Sequence, residues 1–337
     1  MLLDSAGIEV FLVHPVCLKM LGSLLTDWTV RGLENGAQLQ AWPEIRALTS
    51  LTRMEISDPY GEFDDSSYAD MAELSYLAKM HTMVLAEYCS LSKRVPNYTN
   101  LQRLELHRGR DDVCNLSTVT RLTALKMSEV GDAFRQLVLP EGKDVCLKDL
   151  QVLSTFRSKE DYDIINLEMA TRLTRLALQN AYPRNLKEGP WPREMPCLQS
   201  VVLSHLDCSP PVKLSLYSKL QSLDLSGIRV DTLPDWFARL TQLQTLSLRR
   251  GHFEEFPQSV LQLSQLQTLD MAGMHSMPLS ESIVGIAQWP NLSVLDLTLR
   301  RGDRHDLDSH LILLLLNNAF KQGATRSPLH IDNIYTM

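Results

Sequence analysis

Three residues near the middle of this 337-residue chain are of types that could act as a nucleophile or bind a metal ion. Cys197, His205 and Cys208 lie close together in the sequence, and thiolate and imidazole groups are the usual ligands of zinc. They do not follow the CxxC or HxxxH spacing of zinc sites, and the chain has no GxSxG, P-loop, GxGxxG or HExxH motif. The sequence therefore predicts ordinary structural cysteines, no metal site, no cofactor and no enzymatic activity.

An acidic segment, SDPYGEFDDSSYAD at residues 57–70, could instead offer carboxylates to calcium, a cation that prefers oxygen ligands. Its acidic residues include Glu62, Asp64, Asp65 and Asp70. The segment lacks the DxDxDG spacing and the following glutamate of a calcium-binding loop. We expect a solvated surface loop here.

Charge and hydropathy exclude further classes of function. A formal net charge of −7 and a pI near 5.7 leave no basic surface for a phosphate backbone. The leucine run LILLLL at residues 311–316 is far shorter than the roughly 20 residues of a membrane span. At the N-terminus, Asp4 and Glu9 stand where a secretory signal is basic, and Pro15 interrupts the apolar stretch. We expect no nucleic-acid partner, no membrane partner and no secretion.

The distribution of the cysteines along the chain also indicates an intracellular protein. All six are scattered, with no CxxC pair and no cluster at either end of the chain. Scattered cysteines of this kind are typical of reduced thiols in an intracellular protein. We expect a cytoplasmic or nuclear protein.

The elements that would position any binding site follow from an internal repeat. LQTLSLRR at residues 243–250 returns as LQTLDMAG at residues 266–273, and both fit a frame LxxLxLxx with apolar residues at positions 1, 4 and 6. The frame recurs at intervals of 21 to 29 residues, as in solenoid proteins. It starts at twelve places: Leu25, Leu51, Met80, Leu101, Leu122, Leu147, Leu173, Leu198, Leu220, Leu243, Leu266 and Leu292.

Each unit is predicted to supply one short strand and one helical turn. Apolar residues at positions 4 and 6 alternate with polar ones at 5 and 7, which is the period of a half-buried strand. Later in the unit, the spacing of Leu233, Phe237 and Leu240 suits a short helix that faces the strands. Pro234 and Pro257 stand at the starts of two such turns, where a missing N–H costs little. Because one unit cannot bury its apolar face alone, we expect stacked copies that share one core.

These units resemble the leucine-rich repeat family, in the 23-residue form of intracellular plant, algal and Ras-suppressor-like proteins. The likeness covers about residues 25–305 and is closest over residues 220–265, with their consecutive LPxxφxxLxxL units. It implies an α/β horseshoe solenoid of about twelve repeats, with a parallel β-sheet on the concave face and short helices or turns on the convex face. Position 9 departs from the family pattern, because it is neither Asn nor Cys in any unit. We expect those turns to satisfy their backbone groups through water or local hydrogen bonds.

The two ends are expected to cover the array. Residues 1–24 are interpreted as an N-terminal cap or degenerate repeat, residues 25–304 as the leucine-rich repeat array, and residues 305–337 as a capping helix and terminal strand. Asp308 or Ser309 could begin that helix.

The candidate binding surface is the concave face, where positions 3, 5, 7 and 8 point away from the core. In the C-terminal half, position 5 forms an acidic column with arginines beside it, whereas the N-terminal half has mixed charges. The candidate contact residues are Asp224, Ser247, Arg249, Arg250, Asp270, Asp296, Arg300, Arg301, Arg103, Glu105 and His107.

A mixed-charge face is typical of selective protein recognition, because complementary potentials discriminate between partners. We predict a monomeric, non-catalytic scaffold for protein–protein interaction that binds a protein or peptide on its concave sheet. Two alternatives remain open. One is the substrate-recognition part of an F-box-type ubiquitin ligase adaptor whose F-box is absent or degenerate. The other is a purely structural repeat protein, in which opposite charges pair with each other and keep the surface soluble.

Overall fold

The fold is known from a computed structural model. It describes residues 24–31, 48–57, 77–86, 98–107, 112–130, 134–142, 144–154, 162–180, 186, 191–205, 210–254, 256–274, 285–286 and 289–297. The predicted caps, apart from Leu24, and the acidic side chains of residues 58–70 lie outside these ranges. The chain forms two compact units, one of residues 1–173 with 183–190 and one of residues 174–182 with 191–337.

The first unit is built from parallel strands. In chain order they are β1 (Asp27–Arg31), β2 (Arg53–Ser57), β3 (Thr82–Ala86), β4 (Arg103–His107), β5 (Val113–Asn115), β6 (Ala124–Val130), β7 (Gln136–Val138), β8 (Asp149–Ser154) and β9 (Asp163–Ile165). The main sheet has the order β1-β2-β3-β4-β6-β8. A second, smaller sheet has the order β5-β7-β9.

The second unit repeats the arrangement of the main sheet. Its strands are β10 (Arg175–Gln179), β11 (Ser200–Ser204), β12 (Ser222–Asp224), β13 (Thr245–Ser247), β14 (Thr268–Asp270) and β15 (Val294–Asp296). Neighbouring strands in this order are paired and parallel. Within the residues described, no helix is long and apolar enough to span a lipid bilayer.

The strand positions match the predicted repeat frame. A strand of a main sheet begins two residues after each of the twelve predicted starts, as β13 does after Leu243. Positions 1 and 4 face the core: Leu243 and Leu246 are fully buried, as are Leu266 and Leu269 in the next repeat. The leucine-rich repeat frame and the parallel solenoid architecture are therefore confirmed.

A regular pair of backbone hydrogen bonds joins successive repeats just before each strand. The carbonyl of Gln221, at position 2, accepts from the N–H groups of Gln244 (2.8 Å) and Thr245 (2.9 Å). The same pair of acceptor bonds is formed by the position-2 carbonyls of Thr26, Thr52, His81, Gln102, Thr123, Thr174, Gln199, Gln244 and Gln267. This repetition fixes the register, so that equal positions of neighbouring repeats lie side by side.

Opposite the strands, the second unit has the predicted helical turns, in the tighter 3₁₀ form. The 3₁₀ helices Val212–Leu216, Asp235–Arg239 and Gln258–Gln262 each follow directly after a proline. Each helix buries one central apolar side chain, which in Asp235–Arg239 is Phe237. All three helices are five residues long, and 3₁₀ geometry is common in helical segments this short.

The described part of the first unit has one such turn, the 3₁₀ helix Leu167–Met169, and otherwise differs from the prediction on this side. Strands β5, β7 and β9 form a sheet where the repeat pattern predicted helical turns. The local sequences explain the difference, because Leu137 and Leu139 alternate as buried residues in β7 and just after it, as do Cys114 and Leu116 at β5. An alternation with period two suits a strand rather than a helical turn.

At six of the described repeats, position 8 adopts a left-handed backbone conformation. The residues there have positive φ angles: Glu129 (54°), Asn180 (64°), His205 (60°), Gly227 (72°), Arg250 (56°) and Gly273 (69°). The N–H of Arg250 donates to the carbonyl of Ala272 (2.8 Å), and that of Gly251 donates to the carbonyl of Leu248 (3.0 Å). Backbone bonds within and between repeats thus replace the Asn or Cys that is missing from position 9, as expected for these turns.

Candidate functional site

The acidic column lies on one surface of the second unit, which we call the strand face: the side chains at positions 3, 5 and 7 of β10–β15. Register pairs Asp224 with Ser247, Ser247 with Asp270, and Asp270 with Asp296. Adjacent strands lie about 4.8 Å apart. Three carboxylates and one hydroxyl therefore form a single row across four strands.

Two of these carboxylates also stabilise the ends of their strands. Oδ1 of Asp224 accepts a hydrogen bond from the backbone N–H of Ser226 (2.8 Å). Oδ1 of Asp270 accepts one from the backbone N–H of Ala272 (3.0 Å). Because Oδ1 serves the turn in both residues, Oδ2 is the atom that is left to meet a partner's donor.

Ser226 connects neighbouring members of the column, and sequence analysis missed it. Its hydroxyl donates to Oδ1 of Asp224 in a short hydrogen bond and lies 3.0 Å from Oγ of Ser247. The signal in the sequence was the spacing of Asp224 and Ser226, because an aspartate often bonds backbone groups two residues further on.

Arg249 is the described cation that forms an ion pair with the column. Its Nη1 lies 3.7 Å from Oδ2 of Asp270, and its side chain is 52% exposed. The pKa of the Asp270 carboxyl is raised, chiefly by its partial burial. The hydrogen bond from the Ala272 N–H lowers this pKa, repulsion from Asp296 raises it, the charge of Arg249 lowers it, and repulsion from Asp224 raises it. The net upward direction of this pKa means that Arg249 only partly offsets the burial and the negative charge around Asp270.

Arg250 differs from Arg249 in its location. It occupies the left-handed turn with φ of 56°. Its Cγ lies 3.3 Å from where a Cβ on Gly273 would be, so its side chain runs along the next repeat. The predicted contacts Arg300 and Arg301 lie outside the described residues. Contact of a partner with any of these three residues stays a prediction.

The predicted contacts of the first unit pair with one another. Nη2 of Arg103 lies 2.6 Å from Oε1 of Glu105, while Nε2 of His107 lies 3.8 Å from Oε2 of the same carboxylate. Nδ1 of His107 forms a short hydrogen bond with the hydroxyl of Ser128 on β6. On β2, Arg53 and Glu55 form a similar ion pair at 2.9 Å. Here positive and negative charges offset each other within a strand.

The cysteine and histidine residues singled out in the sequence lie in turns. Cys197 is a free thiol immediately before a strand-starting leucine. His205 occupies position 8, and its ring covers Gly227 so closely that an added Cβ would overlap it. Cys208 lies outside the described residues. Over the described ranges, no group of three or more His, Cys, Asp or Glu side chains is placed to hold a metal ion.

Comparison with known proteins gives structural likenesses only. No protein-family model matches the chain, and no curated protein matches it. An internalin from Listeria monocytogenes matches at 18% identity and TM-score 0.51, over 89% of this chain and 87% of that one. A leucine-rich repeat protein of Leptospira interrogans matches at 17% identity and TM-score 0.44, over 87% and 88% of the two chains.

A plant peptide hormone receptor matches at 17% identity and TM-score 0.46, over 80% of this chain and 47% of the receptor chain. The chain therefore spans about half the length of that receptor structure. At identities this low, a likeness concerns the fold alone. The match to the internalin agrees with the parallel repeat architecture described above.

Proposed function

From the premise that the chain has a leucine-rich repeat fold, we propose that it is a non-catalytic scaffold that binds a protein or peptide on the strand face of its second unit. The partner presents lysine or arginine side chains to the column of Asp224, Asp270 and Asp296. Partner contacts on Ser247 and Arg249 are part of the same proposal.

The observation that carries this proposal is the charge difference between the two strand faces. In the first unit, Glu55 and Glu105 each have an arginine within 2.9 Å. In the second unit, Asp270 has a longer ion pair, with Arg249 at 3.7 Å. Carboxylates side by side in register attract cations, and complementary charge speeds association and sets register.

The fold supplies the rigidity that such a site needs. Asp224 and Asp270 are held by hydrogen bonds to their own turns, so their carboxylates are oriented before a partner arrives. Pre-oriented acceptors lose less conformational entropy on binding than free side chains do. A basic side chain that reaches Oδ2 would form a charge-assisted hydrogen bond there.

The test is a pull-down from a cell extract with wild-type chain and two charge variants. The site variant is Asp224→Asn/Asp270→Asn/Asp296→Asn, in which each amide oxygen can still accept the bond to the turn. The matched control is Glu55→Gln/Glu105→Gln/Asp149→Asn on the first unit. Both variants remove three negative charges, so a general charge effect would act on them equally.

We expect the site variant to lose at least about tenfold in partner recovery, since it removes several charge-assisted contacts. The control variant should recover partners at the wild-type yield. Equal recovery by all three proteins would refute the acidic-column site. Loss in the control variant alone would place the binding surface on the first unit.

The two alternative functions give different outcomes in this experiment. A purely structural repeat protein recovers no specific partner with any of the three chains. An F-box-type adaptor recovers ubiquitin-ligase subunits, and these remain bound to the site variant because they would contact a different module. The charge pairs of the first unit, such as Arg103 with Glu105, are what the structural alternative predicts for that part of the surface.

We also propose that the chain acts as a monomer, without nucleic acid, membrane or cofactor, inside the cell. The formal net charge of −7 and the scattered cysteines, with no CxxC pair, support this proposal. Its location is tested by fractionating cells that express the full chain; recovery from the culture medium would contradict it. Its oligomeric state is tested by sedimentation equilibrium, in which a dimer mass would contradict it.

A further inference from the structure

We draw no further inference here: the strongest candidate, the exposed Val212 and Leu216 side chains on the 3₁₀ helix Val212–Leu216 of the second unit, is an unpartnered apolar patch, and nothing in the described residues shows what covers it.

Discussion

At the scale of single residues, Asp270 combines a structural contact with a place in the proposed binding row. Its Oδ1 accepts the N–H of Ala272 at 3.0 Å, while Oδ2 faces Arg249. Its pKa is raised, mainly by burial. The ionised form therefore costs the folded state free energy, and this cost is present above the folded-state pKa and absent below the unfolded value of about 3.9.

Replacing Asp270 by asparagine should stabilise the protein slightly at neutral pH. Asp270→Asn removes the charge and keeps an oxygen for the Ala272 N–H, so the gain should be about 0.5 kcal/mol or less at pH 7, because solvent screens this partly exposed group. The gain should shrink as the pH falls through the raised folded-state pKa and vanish below the unfolded value of about 3.9, where the carboxyl is protonated in both states. Urea unfolding at pH 7 and at about pH 3 measures it.

Asp231→Asn, at an exposed position, is the control and should change stability little at either pH. A variant Asp270→Asn that is less stable than wild type at pH 7 would show that the ion pair with Arg249 outweighs burial.

Two buried tyrosines differ in whether the hydroxyl has a partner. The hydroxyl of Tyr162 is buried and has no hydrogen-bond partner among the described residues, and its ring lies next to Phe134 at a centroid distance of 5.4 Å. Burial raises the pKa of the Tyr162 phenol, which therefore stays protonated at neutral pH. The hydroxyl of Tyr217 donates to the carbonyl of Pro192 at 2.8 Å. The two residues therefore allow the effect of a buried hydroxyl on stability to be compared with and without a hydrogen-bond partner.

We expect Tyr162→Phe to leave stability unchanged or to raise it by up to about 1 kcal/mol, because the lost hydroxyl has no partner to replace water. Tyr217→Phe should lower stability by about 1 kcal/mol, because the Pro192 carbonyl loses its donor. Equilibrium urea unfolding measures both. Equal losses in the two variants would indicate that Tyr162 also has a partner.

At the scale of elements, the left-handed turn at position 8 follows the strand in six of the described repeats. Gly227 and Gly273 adopt it without strain, whereas His205 and Arg250 adopt it with a side chain. Large and small residues alternate here, since His205 covers Gly227 and Arg250 runs beside Gly273. The turn is therefore a packing contact between repeats as well as the end of a strand.

The two glycines should respond differently to alanine. Gly273→Ala should lower stability by about 1 kcal/mol, because alanine is strained in a left-handed backbone. Little steric cost is added, since the atom nearest to the new Cβ is Cγ of the flexible Arg250 side chain, at 3.3 Å. Gly227→Ala should cost about 1 kcal/mol more, since its Cβ would overlap the His205 ring and force that ring to move. Thermal or urea unfolding of both variants measures the difference.

The double variant His205→Ala/Gly227→Ala isolates the contact between the two turns. The difference in stability between this double variant and His205→Ala gives the cost of Gly227→Ala without the His205 ring. That cost should be close to the cost of Gly273→Ala, because the overlap is gone and only the backbone strain remains. If Gly227→Ala lowers the free energy of unfolding equally with and without the His205 ring, this packing contact does not contribute to stability.

At the scale of the whole molecule, the formal net charge of −7 adds to the local charge of the acidic column. The electrostatic field of these negative charges attracts a basic partner from a distance. Salt screens this field, since the Debye length falls from about 30 Å at 0.01 M to about 3 Å at 1 M. A partner held chiefly by the column should therefore leave the protein as salt rises.

We expect recovery of the partner in the pull-down to fall at least about fivefold between low and high salt, and more steeply for wild type than for the triple-asparagine variant. A titration with sodium chloride measures this slope. A partner whose recovery does not change with salt in either protein would have to be held by apolar contacts, which contradicts the proposed chemistry.

The strand positions could be predicted from the sequence because the frame is local and tied to burial. Leucines at positions 4 and 6, such as Leu246 and Leu248, are both buried and alternate with polar residues, which is the period of a strand with one face on the core. The same reasoning placed Asp224, Ser247, Asp270 and Asp296 in one row, since a constant frame puts position 5 of every repeat in register.

The tertiary structure alone decided which charges on the strand faces are compensated and which polar groups the turns use. Glu105 meets Arg103 within one strand, whereas Asp224 and Asp270 bond their own turns. These outcomes depend on side-chain rotamers and on neighbours more than twenty positions away, such as Ser128 beside His107. The second sheet had a local signal, the period-two alternation of Leu137 and Leu139, where the repeat pattern had predicted helical turns. The left-handed turns had no such signal, because they are stabilised by backbone bonds between repeats, such as that from Arg250 to Ala272, which do not appear in the side-chain pattern of a single repeat.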